Sequence, residues 1–514
     1  MDNSCDLERS RTRGDFTFPE GVDSPVPTAQ ELERIEQLAE ALGRERPGLL
    51  SLSPELAHLV ATKSVPDPSL HLDDQSDITV VAPRHDTSYI QDRARIRAQT
   101  GDIVACNAPP VDGYEEYCCE MLGLGNVEWV APDALRHRRN LASHCWTARA
   151  ARRRLIRAVK SGGVRIIHPL MGSAAVWHFA LLLERATRKR LAVLAAPPEV
   201  SRLVNDKTKF AEIVAALFGE GALPRSYAAT SMAIVTRYVK ELSEDCERIA
   251  LKLPDAAGGA GNVVLDAGSL RRATLTEIRR RLRPVLRGIH WRSGEKIQIS
   301  GWARDVLSAP SVQTWIPPER DQPPRVDGVF EQLLEGPAFE FIGAQPASLP
   351  APVRHGIERA GLLLASLFQR LGYVGRCSVD LVLTGRTLEE SRLVFIECNG
   401  RWGGTSFPMF LVRRLFEGRD EPAYAVRSLL VPGLRDVSFR HVLEHFEDEL
   451  FDARMANGWL VLFDPARMKA RSGLSYVALG STQEEALHRA DVVVPKALPS
   501  LVRFRRPRLR VGLP

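Results

Sequence analysis

The sequence predicts an α/β and α+β protein with three folded units, and three observations lead to this fold class. The chain has 514 residues, which is too long for one compact core and suggests about three domains. From residue 77 onward, short apolar strands alternate with helices, a pattern typical of an open parallel sheet. From residue 205 onward, runs of strands with few helices between them are typical of mixed α+β domains.

The composition limits the kinds of protein that this chain can be. Hydrophobic residues make up 44% of it and charged residues 26%, as in ordinary soluble globular proteins. A net charge of +6 is too small to indicate binding to nucleic acid or to a membrane surface. The first residues lack the apolar segment of a secretory signal, and no run of 18 apolar residues predicts a membrane span. The eight scattered cysteines fit reduced thiols, so we expect a cytoplasmic protein.

The predicted organisation begins with a polar, proline-containing region at residues 1–76, which we expect to be partly disordered. Helical spacing of leucine and isoleucine predicts one amphipathic helix in it, at residues 28–42. The parallel-sheet domain is expected at residues 77–204. Its strands are predicted at residues 78–82, 103–106, 127–130, 164–167 and 191–194, with helices at 148–160 and 174–186.

A mixed α+β core is predicted at residues 205–416, followed by a small C-terminal α+β domain at residues 417–514. In the core we expect helices at 207–218 and 353–371, and strands at 249–253, 262–266, 312–316, 326–334, 378–383 and 393–398. In the C-terminal domain we expect strands at 458–463 and 474–479 and a helix at 482–490.

Two carboxylates and an amide late in the core predict a site for Mg²⁺. Asp380 lies within one apolar strand, and Glu397 and Asn399 end the next. Residues two apart on a strand point to the same face, and a hairpin would bring Asp380 opposite this pair. Oxygen atoms of these types suit a Mg²⁺ ion that bridges phosphates. The alternative is an edge hairpin with solvated acids. The apolar run at residues 393–396 disfavours it, because that run predicts a buried strand, and placing acids at its end costs free energy unless they have a partner.

Arg401 follows this pattern two residues later and is the candidate catalytic residue. A guanidinium can hold a phosphoryl group through two hydrogen bonds. Gly403 and Gly404 then allow the backbone to approach a ligand closely. The alternative is a structural arginine that pairs with an acid in the core.

Lysines are rare in this chain, so a lysine at a motif position is informative: only 10 of the 69 basic residues are lysines. Lys252 lies in an apolar strand, and Gly258, Gly259 and Gly261 follow it. Such a turn can offer backbone N–H groups to phosphate oxygens. Lys207 begins a predicted helix. Taken alone, these features are compatible with a glycine-rich hairpin and a surface lysine, so it is their order along the chain that carries weight.

These segments together resemble the ATP-grasp superfamily, over residues 205–416. The resemblance implies a two-lobed ATP-grasp core preceded by a pre-ATP-grasp domain. It implies that Lys207 and Lys252 contact the phosphates of ATP and that the loop at residues 258–261 covers them. It also implies that Mg²⁺ is bound by Asp380, Glu397 and Asn399.

The resemblance further implies an adenine hinge on the strand at residues 312–316, which assigns Gln313, Trp315 and Ile316 to nucleotide binding. Many members of the superfamily have an acid where this chain has Gln313, which leaves ribose recognition open. The next lysine after Lys296 is Lys469. Any further phosphate contact between them would therefore come from an arginine that the sequence does not single out.

Three segments, GGAGNVVLD, SVQTWIPP and ECNGRWGGTSFP, are similar to the peptide ligase family of pheganomycin biosynthesis. That family has a pre-ATP-grasp domain before the core and a small domain after it. The resemblance implies an ATP-dependent, ADP-forming ligase that joins a carboxylate to an amine through an acyl-phosphate. Its substrates would be a small-molecule or peptide carboxylate and an amine, and the sequence is compatible with a homo-oligomer.

Two other function classes stay open at this point. One is an ATP-grasp fold that binds nucleotide without turnover, although a binding module has no need of a full set of Mg²⁺ ligands. The other is a metallopeptidase, suggested by the string HVLEH at residues 441–445. The string lies in an acid-rich stretch with little chain left to supply a third ligand. The sequence does not identify the carboxylate, the amine or the oligomeric state.

Overall fold

A computed structural model describes residues 24–50, 53–63, 67–74, 88–132, 140–253, 262–336 and 340–503. Its strands are β1 (Ser69–Leu72), β2 (Ile103–Ala105), β3 (Glu128–Val130), β4 (Ile166–Pro169), β5 (Ala192–Val193), β6 (Ser226–Ala229), β7 (Arg248–Lys252), β8 (Asn262–Asp266), β9 (Ile297–Gly301), β10 (Val306–Ser308), β11 (Pro310–Ile316), β12 (Arg325–Glu335), β13 (Glu340–Pro346), β14 (Gly375–Thr384), β15 (Arg392–Asn399), β16 (Ala423–Leu430), β17 (Leu460–Phe463) and β18 (Gly473–Gly480).

The α-helices are α1 (Ala29–Glu45), α2 (Pro47–Leu50), α3 (Pro54–Ala57), α4 (Tyr114–Glu116), α5 (Leu141–Thr147), α6 (Arg149–Ser161), α7 (Ala174–Thr187), α8 (Pro198–Asn205), α9 (Lys207–Phe218), α10 (Met232–Asp245), α11 (Gly268–Arg271), α12 (Leu275–Gly288), α13 (Ala351–Arg370), α14 (Ser406–Leu415), α15 (Phe439–His445), α16 (Ala466–Arg471), α17 (Gln483–His488) and α18 (Val494–Arg503). Across the described ranges, none of these helices has both the length and the apolar composition needed to cross a membrane.

The N-terminal sheet has five parallel strands in the order β3-β2-β1-β4-β5. This confirms the predicted parallel sheet. Its central strand is β1, which the sequence analysis missed, whereas the strand predicted at residues 78–82 lies outside the described residues. All four residues of β1 are buried, including His71. A buried histidine interrupts the apolar run that would mark a strand in the sequence. Asp102 makes this burial possible, because its Oδ2 lies 2.9 Å from Nε2 of His71.

A four-stranded antiparallel sheet follows, in the order β6-β9-β7-β8. Helix α12 packs against it through an apolar face that includes Ile278, Leu282 and Leu286. The same helix begins with a capping box, in which Thr274 Oγ1 accepts a hydrogen bond from the backbone N–H of Glu277 and the backbone N–H of Thr274 donates to Oε2 of Glu277. This sheet carries Lys252 at the end of β7.

The largest sheet has nine strands, in the order β10-β14-β11-β12-β13-β16-β18-β17, with β15 paired to β14. The long helix α13 packs on one face of it. Gly361 allows a close approach there, because a Cβ at this position would lie 2.9 Å from Cγ2 of Val312. Helix α9 also packs on β15, where the Phe218 and Phe395 rings stack with centroids 4.7 Å apart. This layer fixes the ends of β14 and β15.

The C-terminal strands β16 to β18 belong to this same nine-stranded sheet. The connection is the pairing of β13 with β16, in which Gly343 faces Arg427 and Ala344 faces Val426. A Cβ at Gly343 would lie 2.1 Å from the carbonyl oxygen of Val426, so the pairing requires glycine at this position. The strands after residue 416 therefore continue the sheet of the core, and the domain boundary at residue 416 stays a prediction. Together, the parallel sheet and the two antiparallel lobes confirm the predicted α/β and α+β class.

Candidate active site

A cavity of about 2100 Å³ lies between the four-stranded sheet and the nine-stranded sheet. Pockets for a single small molecule have volumes of about 300–1,000 Å³, so this space can hold more than one ligand. Residues of both sheets line it, and so do residues of the N-terminal and C-terminal parts of the chain. Its wall includes the predicted site residues Lys252, Gln313, Asp380, Glu397, Asn399 and Arg401.

The two candidate metal-binding carboxylates face each other across a strand pair. Asp380 on β14 lies opposite Glu397 on β15, and Ser378 lies opposite Asn399. The Nδ2 group of Asn399 donates to Oδ2 of Asp380 over 2.8 Å. The structure thus brings together the three residues that the sequence predicted as a metal site.

Two further polar residues hold Asp380 from neighbouring strands. Ser311 Oγ on β11 donates to Oδ1 of Asp380 over 2.7 Å, and Gln332 Nε2 on β12 donates to the same oxygen over 2.8 Å. Gln313 in turn donates to Ser311 Oγ over 2.9 Å. The carboxylate is therefore fixed in position by hydrogen bonds from three strands.

The electrostatic environment of Asp380 and Glu397 favours a bound cation. Burial, followed by the charge of Glu397, raises the pKa of Asp380 to about 6. A bound divalent cation would stabilise the ionised form of Asp380, because its positive charge compensates for the burial and for the negative charge of Glu397. In the described part of the chain, no cluster of three or more His, Cys, Asp and Glu side chains competes for such an ion.

Both predicted lysines lie near Glu397. Nζ of Lys207 is 2.9 Å from Oε2 of Glu397, and only 4% of the Lys207 side chain is exposed. Burial raises the pKa of Glu397, but the charge and hydrogen bond of Lys207, with Lys252 and Arg401 nearby, bring it below its ordinary value. Burial lowers the pKa of Lys252, and the nearby Glu397 charge partly opposes this shift. No described residue forms a hydrogen bond or an ion pair with Lys252, so its ammonium is available to a ligand.

Arg401 is held by an asparagine at the end of α8. Its Nη1 donates to Oδ1 of Asn205 over 3.0 Å, and the backbone N–H of Gly400 donates to the same oxygen over 3.1 Å. Asn205 also donates to the carbonyl of Ser201 over 2.8 Å, which anchors it to α8. In the described residues, the guanidinium has no carboxylate partner, which disfavours the alternative of a structural arginine paired with an acid.

The structure separates the three residues assigned to the adenine hinge. Gln313 lies in the cavity wall, whereas Trp315 and Ile316 do not. Ile316 is fully buried in the core under α13, and Trp315 stacks with the guanidinium of Arg376, 5.3 Å from its ring centre. Strand β11 is also paired on both edges, by β12 and β14, so the sheet uses its backbone groups. The glycines at 258, 259 and 261 lie outside the described residues.

Sequence analysis missed several residues that line the cavity. Ser311 and Gln332 were not singled out, nor was Asn205 as a partner of Arg401. One signal was present: Ser311 and Gln313 are polar at alternate positions of an otherwise apolar strand, which indicates a shared polar face. Residues 300–303, the end of β9 and the start of the connection that follows it, also line the cavity. They gave no signal, because strand β9 itself was not predicted.

The contacts of His441 and His445 are not those of metal ligands. Nδ1 of His441 lies 3.4 Å from Glu444, and Nε2 of His445 lies 3.3 Å from the carbonyl oxygen of Ala497. Because no third ligand joins them in the described part of the chain, the arrangement does not favour the metallopeptidase hypothesis.

Comparison with known proteins agrees with this architecture. Residues 91–184 match the Pre ATP-grasp domain family. No curated protein matches the sequence. Among solved structures, N5-carboxyaminoimidazole ribonucleotide synthetase in complex with ADP is 12% identical, with a TM-score of 0.51, over 84% of this chain and 97% of that one. The chain therefore has the fold of ATP-grasp proteins, with a pre-ATP-grasp domain before the core.

Two further solved structures match over most of their length. The Thermus thermophilus N5-carboxyaminoimidazole ribonucleotide synthetase is 14% identical, over 85% of this chain and 99% of that one, with a TM-score of 0.48. The biotin carboxylase domain of Hydrogenobacter thermophilus 2-oxoglutarate carboxylase, solved with MgADP, ADP and bicarbonate, is 12% identical. That match covers 82% of this chain and 88% of that one, with a TM-score of 0.49.

Proposed function

We propose that this chain is an ATP-dependent ligase that joins a carboxylate to an amine through an acyl-phosphate and releases ADP. One observation carries the proposal: Asp380, Glu397, Asn399, Lys252 and Arg401 line one cavity between two sheets. Two acids and an amide beside several cations are what a Mg²⁺–nucleotide complex requires, since the acids hold the metal and the cations hold the phosphates.

The residues present fit Mg²⁺ and ATP. The raised pKa of Asp380 beside Glu397 is the electrostatic sign of a site that favours a divalent cation. When bound by Asp380, Glu397 and Asn399, Mg²⁺ would neutralise charge on the phosphates of ATP. Lys252, without a partner among the described residues, would pair with a phosphate oxygen. The related fold solved in complex with ADP supports the same use of the cavity.

The proposed reaction has two steps. A carboxylate oxygen of the first substrate attacks the γ-phosphorus of ATP, the bond from that phosphorus to the bridging oxygen breaks, and ADP leaves. The amine nitrogen of the second substrate then attacks the carbonyl carbon of the acyl-phosphate. The bond from that carbon to the phosphate oxygen breaks, inorganic phosphate leaves, and the nitrogen loses a proton. Phosphorylation is needed because a carboxylate oxygen is otherwise a poor leaving group.

The residues of the chain act mainly by positioning and by charge. Arg401 lies beside the carboxylates, where it would stabilise negative charge that develops on the transferred phosphoryl group. Asn205 fixes the orientation of that guanidinium. The connection from β9 to β10, which joins the two sheets, lines the cavity at residues 302 and 303 and is a better candidate for adenine contact than Trp315 or Ile316.

The kind of ligase and its substrates are also part of the proposal. We infer a peptide ligase of the pheganomycin type, on the basis of the three similar segments in the sequence. The substrates would be a small-molecule or peptide carboxylate and an amine, and the expected compartment is the cytoplasm. The domain boundaries at residues 76, 204 and 416 and the site assignments are proposals of the same kind.

The hydroxamate trap tests this function. The protein is incubated with ATP, Mg²⁺, hydroxylamine and pools of amino acids and short peptides, and hydroxamates are detected by mass spectrometry. Hydroxylamine attacks an acyl-phosphate in place of the natural amine, so the amine does not have to be known. A hydroxamate that forms only with ATP supports the ligase. Tight ATP binding with no hydroxamate from any pool would instead indicate a nucleotide-binding module without turnover.

A further inference from the structure

Three arginines line the cavity in a region that the proposed mechanism does not use. Arg93 comes from the 3₁₀ segment Ser88–Ile96, and Arg467 and Arg471 come from α16. Apolar residues of α18, among them Leu498 and Val502, line the cavity beside them. This end of the cavity therefore combines positive charge with an apolar wall.

The arginines are well separated from the candidate metal site. Residues 428–431, at the end of β16, line the same cavity. The backbone N–H of Val431 donates to the carbonyl of Ser472, directly after α16, over 2.7 Å. Four strand spacings separate β14, which carries Asp380, from β16. At about 4.8 Å per spacing, β16, whose end lies beside α16, is roughly 19 Å from β14 across the sheet.

Arg467 is partly buried, and its guanidinium forms no hydrogen bond with a described residue. Its Nε atom is buried and unpaired. Gly473 leaves the space that this side chain occupies, because a Cβ there would lie 2.6 Å from the same Nε atom. Burial lowers the pKa of Arg467, and nearby Asp464 partly offsets this. A buried donor with no partner costs free energy, which a bound anion would recover.

Among the described residues, guanidinium groups outnumber carboxylates at this end of the cavity. Asp464 accepts from Nε of Arg93 over 2.8 Å. Asp92 lies beside Asp464, and burial together with the Asp464 charge raises the pKa of Asp92 well above its ordinary value. Asp464 forms its ion pair with Arg93, and no described acid forms an ion pair with Arg467 or Arg471. Arg471 lies over the ring of Tyr89, 5.7 Å from its centre, which restrains it at the cavity wall.

We propose that Arg93, Arg467 and Arg471 form an anion subsite that binds a negatively charged group of the amine substrate, a carboxylate or a phosphate, away from its reacting amine. This inference rests on the proposed ligase function and specifies its substrate class. The substrate is elongated, with its reacting group near Asp380 and an anionic group at the arginines. A short peptide with a free C-terminal carboxylate and an apolar side chain has this chemistry, since Leu498 and Val502 provide an apolar surface.

The test uses calorimetry with the full chain saturated with ADP and Mg²⁺. Trialanine, trialanine amide and inorganic phosphate are the probes, and the two peptides differ only in the terminal charge. We expect trialanine to bind at least ten-fold more tightly than its amide. In Arg467→Gln this preference should fall to about one-fold, and in the matched control Arg153→Gln, an exposed arginine of α6, it should stay unchanged. Tighter binding of phosphate than of trialanine would identify a phosphate group as the natural anion.

Arg471→Gln provides a second variant, because Arg471 is exposed and its loss leaves the fold intact. Equal affinity for trialanine and its amide in the wild type, or a preference that survives both substitutions, would overturn the subsite. So would the absence of binding by all three probes. Failure of ADP to bind would contradict the proposed function instead, and phosphate titrated without ADP would still test the arginines.

Arginine modification locates the bound anion. Phenylglyoxal reacts with accessible guanidinium groups, and mass spectrometry identifies the modified peptide. Trialanine should protect Arg471 from modification, whereas trialanine amide should not. Modification of Arg471 at the same rate with either peptide would place the binding elsewhere and contradict the proposal.

Discussion

Nζ of Lys207 lies 2.9 Å from Oε2 of Glu397, so a residue predicted to hold phosphate is ion-paired with a residue predicted to hold Mg²⁺. Lys207 begins α9, and Glu397 lies near the end of β15, so the pair links the start of the core to its last catalytic strand. Binding of a metal–phosphate complex would give each side chain a new partner of opposite charge. The ion pair therefore holds both groups in place before the ligands arrive.

The first prediction concerns stability. Lys207→Met leaves the buried Glu397 carboxylate without its partner and should destabilise the fold by about 3 kcal/mol. Urea denaturation measures this. The double variant Lys207→Met/Glu397→Gln should recover most of the loss, because neither charge then remains buried. A single variant as stable as the wild type would show that the ion pair does not contribute.

The second prediction concerns the metal. Asp380→Asn or Glu397→Gln should lower substrate-dependent ADP release by about 100-fold or more while the protein stays folded, because each removes charge from the candidate Mg²⁺ site. Glu389→Gln, an exposed acid in the turn of the same hairpin, is the matched control and should keep full activity. Near-normal turnover in a folded Glu397→Gln protein would refute the assignment.

The third prediction concerns pH. The pKa of Asp380 in the folded protein is about 6, above its ordinary value of 3.8. The folded state therefore binds this proton more tightly than the unfolded state. The stability that it contributes is complete below pH 3.8 and is lost as the pH rises through about 6. Urea midpoints of wild type and Asp380→Asn, compared between pH 4 and pH 7, should converge at the acid end and separate toward neutrality.

Mg²⁺ should reverse this pH effect. Above pH 6 the ionised Asp380 binds the cation, so added Mg²⁺ should raise the melting temperature of the wild type at pH 7.5 and have little effect at pH 5. Asp380→Asn should show little response at either pH. An equal shift at both pH values would place the bound metal elsewhere.

The fourth prediction concerns nucleotide affinity. Lys252→Ala should weaken ATP binding by about ten-fold or more, because a half-buried ammonium without a protein partner in the described residues has phosphate as its natural ligand. Lys160→Ala, an exposed lysine of α6, is the control. Unchanged affinity by calorimetry would make Lys252 a structural lysine.

The fifth prediction separates chemistry from binding. Arg401→Ala should reduce the hydroxamate yield by about 100-fold and reduce ATP affinity much less, because it acts on charge that develops during transfer. Asn205→Ala, which releases the guanidinium and the Gly400 N–H but keeps Arg401, should cause a smaller loss that Asn205→Asp partly restores. Equal losses in yield and affinity for Arg401→Ala would assign this arginine to nucleotide binding.

The sequence predicted the parts of the fold that have strong local patterns. Helix α9 was predicted with the bounds that the structure has, and so was β8. The hairpin of β14 and β15 also placed Asp380 and Glu397 correctly opposite each other. These elements are regular, apolar and paired with neighbours close in sequence, so local periodicity was sufficient.

The missed elements depend on distant partners. Strand β16 contains Arg427, whose side chain is buried because Nε donates to Asp491 over 2.6 Å. A buried charge breaks the apolar alternation of a strand, and its partner lies far along the chain. Strand β13 was also missed, and one of its partners, β16, likewise lies far along the chain. The hinge assignment of Gln313, Trp315 and Ile316 stays a prediction, because which strand ends lie at the cavity depends on the sheet order.

The pairing of β13 with β16 has a practical consequence for work with fragments. A protein cut after residue 416 would lose β16 to β18 and leave the edge of β13 unpaired, with Gly343 shaped to receive another backbone. Open strand edges of this kind recruit other chains. The shortened protein should therefore precipitate when expressed.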